Sequence, residues 1–262
     1  MPFIKSISVN TDKVHPFPFN VPAIKFARNI LLDKGVTIFV GDNGTGKSSL
    51  LESIALTVNV PLIGGYIGER PGFDAARIIK PILSFEWSRN TTRGFFFRAE
   101  DFSDFIDSVR DDRNNIENTL RDLRGQVDDA IINEMSDNMN RSLQNMRKDY
   151  GADMQAFSHG EAYLTILQTR INEKGIFILD EPEAALSPLK QLSLIALILE
   201  VVKNRNTQFV ISTHSPILMG IPGATLYEIQ EDGMKNVDYK ETDHYRITKR
   251  FLDNPDSYLR HL

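Results

Sequence analysis

The sequence contains no cysteine. This absence excludes disulfide bonds and metal sites that use thiolate ligands. It is compatible with a reducing compartment, and we expect the protein to be cytoplasmic.

Long apolar runs are also missing from the sequence. The most apolar stretch, residues 192–202, is too short to span a bilayer, which needs about 20 residues, and it contains Ser193 and Glu200. The N-terminal residues 1–7 lack the apolar core of a signal peptide and predict a β-strand instead. We therefore expect no direct insertion into a membrane, so that any work at a membrane would need a second chain.

The sequence also has no excess of positive charge. The 30 Lys and Arg residues are outnumbered by 35 Asp and Glu residues, which gives a net charge of −5. Nucleic-acid-binding proteins usually present a basic face. The net charge therefore does not support nucleic acid as a partner, although a local basic patch within this acidic average stays open.

Short apolar runs of strand length occur at 36–40, 176–179 and 208–212. They are rich in β-branched and aromatic residues, as are strands covered on both faces. Helical stretches follow the first two runs, at about 47–58 and 188–203. This alternation predicts an α/β fold with a mainly parallel sheet.

Residues 103–157 follow a different pattern, in which apolar side chains recur at helical spacing from Ile106 to Met146. One straight helix of about 40 residues would be about 60 Å long, so we expect a hairpin, for which Gly125 and the polar stretch 136–140 are the candidate places. We predict a helical insert at about 103–157 within a single domain spanning 1–262. Partial disorder of the insert is the open alternative.

The segment from Gly41 to Ser48 fits the P-loop pattern G-x-x-x-x-G-K-[ST] at every fixed position. A buried strand precedes it and a helix follows it, as the pattern requires. We expect ATP and Mg²⁺ as ligands, with Lys47 reaching the β- and γ-phosphates and Ser48 binding the metal. The predicted nucleotide-binding residues here are Gly41, Asp42, Asn43, Gly44, Thr45, Gly46, Lys47, Ser48 and Ser49.

Two carboxylates, Asp180 and Glu181, follow the second predicted strand. A carboxylate at this place can hold Mg²⁺ through water, and the next one can accept a proton from an attacking water. We predict Asp180 as a metal ligand and Glu181 as the catalytic base. The structural alternative is a solvated acidic turn that caps the next helix.

Three further segments resemble motifs of the ABC-type ATPases. The run 178–188 looks like their Walker B motif and D-loop, 158–161 like their signature, and 212–215 like their histidine switch. With the P-loop, these motifs occur in the order of the family between residues 36 and 216. The resemblance implies a P-loop NTPase with an ABC-type ATPase core, a mainly parallel sheet, N-terminal antiparallel strands and an inserted helical lobe.

The signature reads Ser158-His159-Gly160-Glu161, which resembles the S-x-G-E form of the SMC and RecF branch more than the L-S-G-G-Q of transporters. The resemblance implies that these four residues complete the ATP site of a second subunit, giving an ATP-sandwiched homodimer. It also implies that His214 acts on the γ-phosphate. From the residues alone, Ser158 is a helix N-cap with Glu161 closing a capping box, a role that can coexist with a contact to ATP.

The sequence departs from the family pattern at two places. No glutamine stands in the expected Q-loop segment, 94–101, where Glu100 is the candidate, and the D-loop position usually held by aspartate is Ser187. The adenine-stacking residue also stays open among Phe17, Phe19 and Phe26. No spacing links the remaining histidines in a metal site: His15, His159, His244 and His261.

The segment 93–100 and the tail 241–262 resemble a family of small, mostly bacterial, stand-alone ATPases. The tail predicts a last helix on the core or an element that binds a partner protein. The favoured function is a dimeric ATP-hydrolysing switch in nucleic-acid maintenance or defence. The alternatives are the nucleotide-binding subunit of a membrane transporter and a nucleotide-dependent binding module with negligible turnover.

Overall fold

The computed structural model describes residues 2–10, 16–63, 72–101, 111, 118, 159–171 and 174–260. The chain divides into two compact units, one formed by Met1–Ala99 with Glu173–Leu262 and the other by Glu100–Asn172. Apart from positions 111 and 118, which are helical, the predicted insert at about 103–157 lies outside the described residues. The insert therefore stays a prediction.

The first unit contains all the strands whose bounds the structure describes, and most of the helices. In chain order the strands are β1 (Ile4–Val9), β2 (Ile30–Leu31), β3 (Val36–Gly41), β4 (Leu83–Trp87), β5 (Gly94–Arg98), β6 (Ile176–Asp180), β7 (Gln208–Ser212), β8 (Thr225–Gln230) and β9 (Gly233–Asn236). The helices are α1 (Pro22–Lys25), α2 (Lys47–Val58), α3 (Asp74–Ile79), α4 (His159–Arg170, in the second unit), α5 (Pro188–Arg205), α6 (Pro216–Met219), α7 (Asp243–Asp253) and α8 (Asp256–Leu259). Short 3₁₀ helices lie at Lys80–Ile82, Pro182–Ala185 and Tyr239–Glu241.

Among the described residues, the larger sheet has six strands in the order β5-β6-β7-β3-β8-β9, and of these only β9 runs antiparallel to its neighbour. Every residue of β3, β6 and β7 is buried, as expected for parallel strands covered on both faces. The predicted α/β fold with a mainly parallel sheet is confirmed. The three predicted strands and two predicted helices are present, and their observed ends differ from the predicted ends by at most two residues.

A second, antiparallel sheet joins β2, β1 and β4. Ser6 of β1 lies opposite Leu31 of β2, and on the other side Ile7 lies opposite Phe85 of β4. The predicted N-terminal antiparallel strands are therefore confirmed.

The side chain of Gln208, the first residue of β7, connects the two sheets. It is fully buried, and its Oε1 accepts hydrogen bonds of 2.9 Å from the backbone N–H groups of Phe3 and Ile4. Its Nε2 donates to the carbonyl oxygens of Ile4 at 2.9 Å and Leu32 at 2.6 Å. One amide thus satisfies four backbone groups in a place that water does not reach.

We expect Gln208→Leu to lower the free energy of unfolding by about 3 kcal/mol or more, because several buried backbone groups lose their partners and each costs about 1–3 kcal/mol. Urea denaturation measures the loss, and hydrogen exchange of residues 2–9 should become faster. The exposed Gln230→Leu at the end of β8 is the control, with an expected change within about 0.5 kcal/mol. Equal effects of the two substitutions would contradict this role of Gln208.

Candidate functional site

The P-loop connects β3 to α2 and is shaped by its glycines. Gly46 has φ +88°, and a Cβ there would lie 2.6 Å from Cγ2 of Val21. Only glycine fits such a position without strain. The N-cap residue of α2 is Gly46, which has no side chain to cap the helix, and the first N–H groups of a helix have no acceptor within it. The loop therefore has the features of an anion-binding helix N-terminus.

Lys47 is the cation of this loop. Its side chain is buried, and Nζ donates to the carbonyl oxygens of Gly41 at 2.9 Å and Asp42 at 3.0 Å. Burial lowers the pKa of Lys47, and the negative charges of Glu181 and Asp180 oppose that shift. The amine is therefore held at the loop by carbonyl oxygens of the loop and lies within the field of the acidic residues at the end of β6.

Asp180 ends β6 and is buried beside two hydroxyl groups. Its Oδ1 accepts a hydrogen bond from Oγ of Ser212, and the Ser48 side chain also hydrogen-bonds to it. Burial raises the pKa of Asp180, and these two hydrogen bonds act in the opposite direction. Ser48 and Asp180 thus bring a hydroxyl and a carboxylate together at the start of α2.

This donor set fits a magnesium ion shared with phosphate. Mg²⁺ prefers oxygen ligands, and proteins often supply only one or two of them while substrate phosphates and water supply the rest. Among the described residues, no group of three His, Asp or Glu side chains is arranged to hold a metal on its own. Ser48 and Asp180 would therefore hold the ion together with a bound nucleotide.

Glu181 has an unusual backbone conformation, with φ 49° and ψ 50°. The left-handed region costs a non-glycine residue about 1–2 kcal/mol. Its N–H donates to the carbonyl oxygen of Ser212 at 3.1 Å and to Oγ of Ser212 at 3.2 Å. Ser212 thus holds Glu181 in this conformation, and the side chain stays 41% exposed, so water has access to its carboxylate.

His214 follows β7 and faces Glu181. Its Nε2 lies 3.3 Å from Oε1 of Glu181, although the two groups are not aligned as a regular hydrogen bond. Burial lowers the pKa of His214, as does the positive charge of Lys47, whereas the charge of Glu181 raises it. The neutral imidazole is therefore favoured near neutral pH.

Glu183 and His244 belong to this cluster, and the sequence did not point to either. Oε1 of Glu183 accepts a hydrogen bond of 2.6 Å from the backbone N–H of His214. Nε2 of His244, in the first turn of α7, lies 3.1 Å from Nδ1 of His214. Since the two histidines are 30 positions apart, no local pattern could have indicated their contact.

Arg98 at the end of β5 is a third residue without a sequence signal. It pairs with Glu52 of α2 at 2.8 Å, and both side chains are largely buried. In the sheet Arg98 lies opposite Asp180, and its positive charge opposes the rise in the pKa of that carboxyl group that burial causes. The ion pair therefore attaches α2 to the sheet beside the candidate metal ligand.

The structure brings together the predicted residues of the P-loop, Walker B motif and histidine switch. The signature lies in the second unit: Gly160 and its neighbours His159 and Glu161 are in the first turn of α4, and Ser158 lies outside the described residues. Of the remaining candidates, Phe17 is exposed, Phe19 packs against the core, and Ser187 is the N-cap residue of α5. Glu100 is part of the second unit.

The raised pKa of Glu183 predicts a pH effect on stability. Burial is the main cause of the shift, so this carboxyl group stabilises the fold below its ordinary pKa of 4.5 and the contribution is lost as pH rises through the folded-state value. Glu183→Gln retains an acceptor for His214 but does not ionise. We expect the stability of the variant, relative to the natural protein, to increase from pH 4.5 upwards.

Urea denaturation without nucleotide, repeated across that pH range, measures this difference. Asp180 is present in both proteins, so its own shift cancels. Glu231→Gln, at an exposed position, controls for the change in net charge. Parallel stability curves for Glu183→Gln and the natural protein would show that Glu183 does not titrate differently on folding.

No helix in the part of the chain that the structure describes is both long and apolar enough to cross a membrane. A curated relative, the nisin transport ATP-binding protein NisT of Lactococcus lactis subsp. lactis, is 26% identical over 217 residues. That match covers 77% of this chain and 32% of NisT. The chain thus spans about a third of the length of this relative.

The chain also aligns with many solved structures, among them an Smc head and a component of an ABC transporter complex. The Smc head bound to the C-winged helix domain of ScpA aligns with a TM-score of 0.51 and 16% identity, covering 90% of this chain and 98% of that one. For cbiO1 of Clostridium perfringens, part of the ABC transporter complex cbiONQ, the TM-score is 0.48 and the identity 15%, with full coverage of both chains.

Two family models match the sequence. One, described as "AAA domain, putative AbiEii toxin, Type IV TA system", matches residues 154–220. The other, described as "ABC transporter", matches residues 31–184, more than half of the chain. With the P-loop and the residues that follow β6 and β7 in place, the chain belongs to this family as an ABC-type P-loop ATPase.

Proposed function

We propose that this protein is a Mg²⁺-dependent ATP hydrolase that closes as an ATP-sandwiched homodimer and acts as a conformational switch. The observation that carries the proposal is the connected cluster beside the P-loop. Hydrogen bonds and a close contact lead from Ser48 through Asp180 and Ser212 to Glu181 and His214. These are the groups needed to hold a nucleotide and to activate a water.

Each residue has a role that its position supports. The N–H groups of the loop from Gly41 to Ser49 would bind the phosphates, and Lys47 would leave the loop carbonyl oxygens for the β- and γ-phosphates. Ser48 and Asp180 would hold Mg²⁺, which neutralises charge on the phosphate oxygens when it is bound.

Glu181 would act as the general base in hydrolysis. Its carboxylate is the exposed one of the cluster, so it can take a proton from an attacking water. His214 would contact the γ-phosphate through Nε2, the ring nitrogen that lies near Glu181. Asp180 is a poorer base for this step because it is buried and already accepts the Ser212 hydroxyl.

The homodimer is proposed from the signature at residues 158–161. The described part of this motif is helical, and α4 begins at His159. A helix N-terminus with a free hydroxyl group can bind a terminal phosphate. In the proposed dimer, Ser158 and Gly160 of one protomer complete the ATP site of the other, so two equivalent sites form across a twofold axis. ATP would favour the closed state because some of its contacts exist only there.

The process that the switch drives is proposed to be nucleic-acid maintenance or defence, in the cytoplasm. The S-x-G-E form of the signature, with its resemblance to the SMC and RecF branch, supports this assignment. The net charge of −5 does not favour a DNA contact, so a protein partner is an equal candidate. Phosphate release measured with and without DNA decides between them, since stimulation through backbone phosphates should decrease as salt increases.

A transporter subunit is the second candidate function, and the similarity to NisT is the observation that favours it. In that case the protein should co-purify with an integral membrane protein from detergent-solubilised membranes. Recovery in the soluble fraction alone, with ATP-dependent dimerisation intact, would favour the switch.

We expect Glu181→Gln to accumulate an ATP-bound dimer, because nucleotide binding is kept while proton transfer is lost. Size-exclusion chromatography with light scattering, with Mg²⁺ and ATP, should show twice the monomer mass for this variant. Phosphate release should fall by about 100-fold or more, the usual contribution of a general base.

Two double variants are the matched controls. Glu181→Gln with Lys47→Ala should stay monomeric because phosphate binding is lost. Glu181→Gln with Ser158→Arg should still bind ATP at its own P-loop. It should not dimerise, because the bulky side chain would keep the signature of one protomer away from the ATP of the other. If Glu181→Gln stays monomeric at saturating ATP, the sandwich proposal is wrong.

A further inference from the structure

The contact between His214 and His244 joins helix α7 to the candidate active site. Nδ1 of His214 and Nε2 of His244 are 3.1 Å apart, and the ring centroids are separated by 5.2 Å with the ring planes inclined at 50°. This geometry suits a hydrogen bond between the two rings in their planes rather than ring stacking. Its direction depends on which nitrogens carry hydrogen.

The position of His244 is fixed by the residues around the start of α7. Thr242 is fully buried and caps the helix by accepting a hydrogen bond of 3.3 Å from the N–H of Tyr245. The Thr242 hydroxyl donates to the carbonyl oxygen of Tyr239 at 2.7 Å. The N–H of Asp243 donates to Oε1 of Glu228 in β8 at 3.0 Å. His244 therefore follows a well-anchored turn.

The surroundings of His214 indicate the direction of the hydrogen bond. A neutral imidazole has one N–H donor and one acceptor nitrogen. Nε2 of His214 lies 3.3 Å from a carboxylate oxygen of Glu181. The two groups are not aligned as a regular hydrogen bond, but the negative charge of the carboxylate favours hydrogen on this nitrogen. Nδ1 is then the acceptor, and Nε2 of His244 must be the donor.

We propose that His244 is a positioning residue: it donates a hydrogen bond to Nδ1 of His214 and thereby keeps the Nε2–H of His214 directed at the catalytic centre. The proposal rests on the proposed function in one respect, the action of His214 on the γ-phosphate. It makes α7 part of the ATPase site, because moving the first turn of this helix removes the donor. Without the donor, the hydrogen can move to Nδ1 and the active-site nitrogen becomes an acceptor that repels phosphate oxygens.

The direct test is the tautomer of His214 in the full-length protein without nucleotide. NMR of ¹⁵N-histidine-labelled protein, at about pH 8 where an ordinary histidine is neutral, should show hydrogen on Nε2. His244→Ala should shift the signals towards the Nδ1–H form, and His244→Gln should restore them because its amide can donate. Hydrogen on Nδ1 in the natural protein, or a tautomer unchanged in His244→Ala, would overturn the proposal whether or not the protein hydrolyses ATP.

Kinetics provide the second test. We expect His244→Ala to lower kcat by about tenfold or more with little change in KM for ATP, and His244→Gln to recover most of it. Thr248→Ala, at an exposed position of the same helix, is the control and should leave kcat unchanged. In the His214→Ala background, His244→Ala should have no further effect.

Independent, multiplicative effects of the two histidine substitutions would show that His244 does not act through His214. Absence of hydrolysis in the natural protein would instead contradict the proposed function and leave the NMR result to decide the role of His244. Circular dichroism of each variant confirms that the fold is kept.

Discussion

The parallel register of β3, β7 and β6 is the constraint on which the candidate site depends. Phe39, Ser212 and Asp180 lie side by side across these strands, so the carboxyl ends of all three strands meet at one edge of the sheet. Segments far apart in the sequence thereby place the P-loop, the two carboxylates and His214 within reach of one another. A slip of one residue in either pairing would direct alternate side chains to the opposite face.

Ser212 connects the ends of two of these strands through hydrogen bonds. Its hydroxyl donates to Asp180 and accepts from the N–H of Glu181. The same small side chain therefore stabilises a buried carboxylate and a left-handed backbone at the next residue. Burying Asp180 and Lys47 costs free energy that the fold recovers only in part through hydrogen bonds. Such a cost is typical of sites prepared for a charged ligand.

The local patterns of the sequence predicted much of this. The P-loop is recognisable because each fixed position meets a separate physical need. The three buried strands are recognisable because they are short runs rich in apolar, β-branched residues. The roles of Gln208, Glu183 and His244 could not be predicted, since each depends on a partner that only the tertiary fold brings near. In the sequence, for example, Gln208 is an ordinary polar residue at the start of a strand. Its role is visible only in the fold, where the backbone of Phe3 and Ile4 lies beside it.

The hydrogen bond between Glu183 and the N–H of His214 has a mechanical consequence. Glu183 lies in the 3₁₀ helix Pro182–Ala185, which leads directly to Ser187 and α5. The bond therefore connects this short helix directly to the backbone of the loop after β7. A displacement of the segment around Ser187 would be transmitted to the backbone of His214 through this bond, with no need for a bound nucleotide to transmit it.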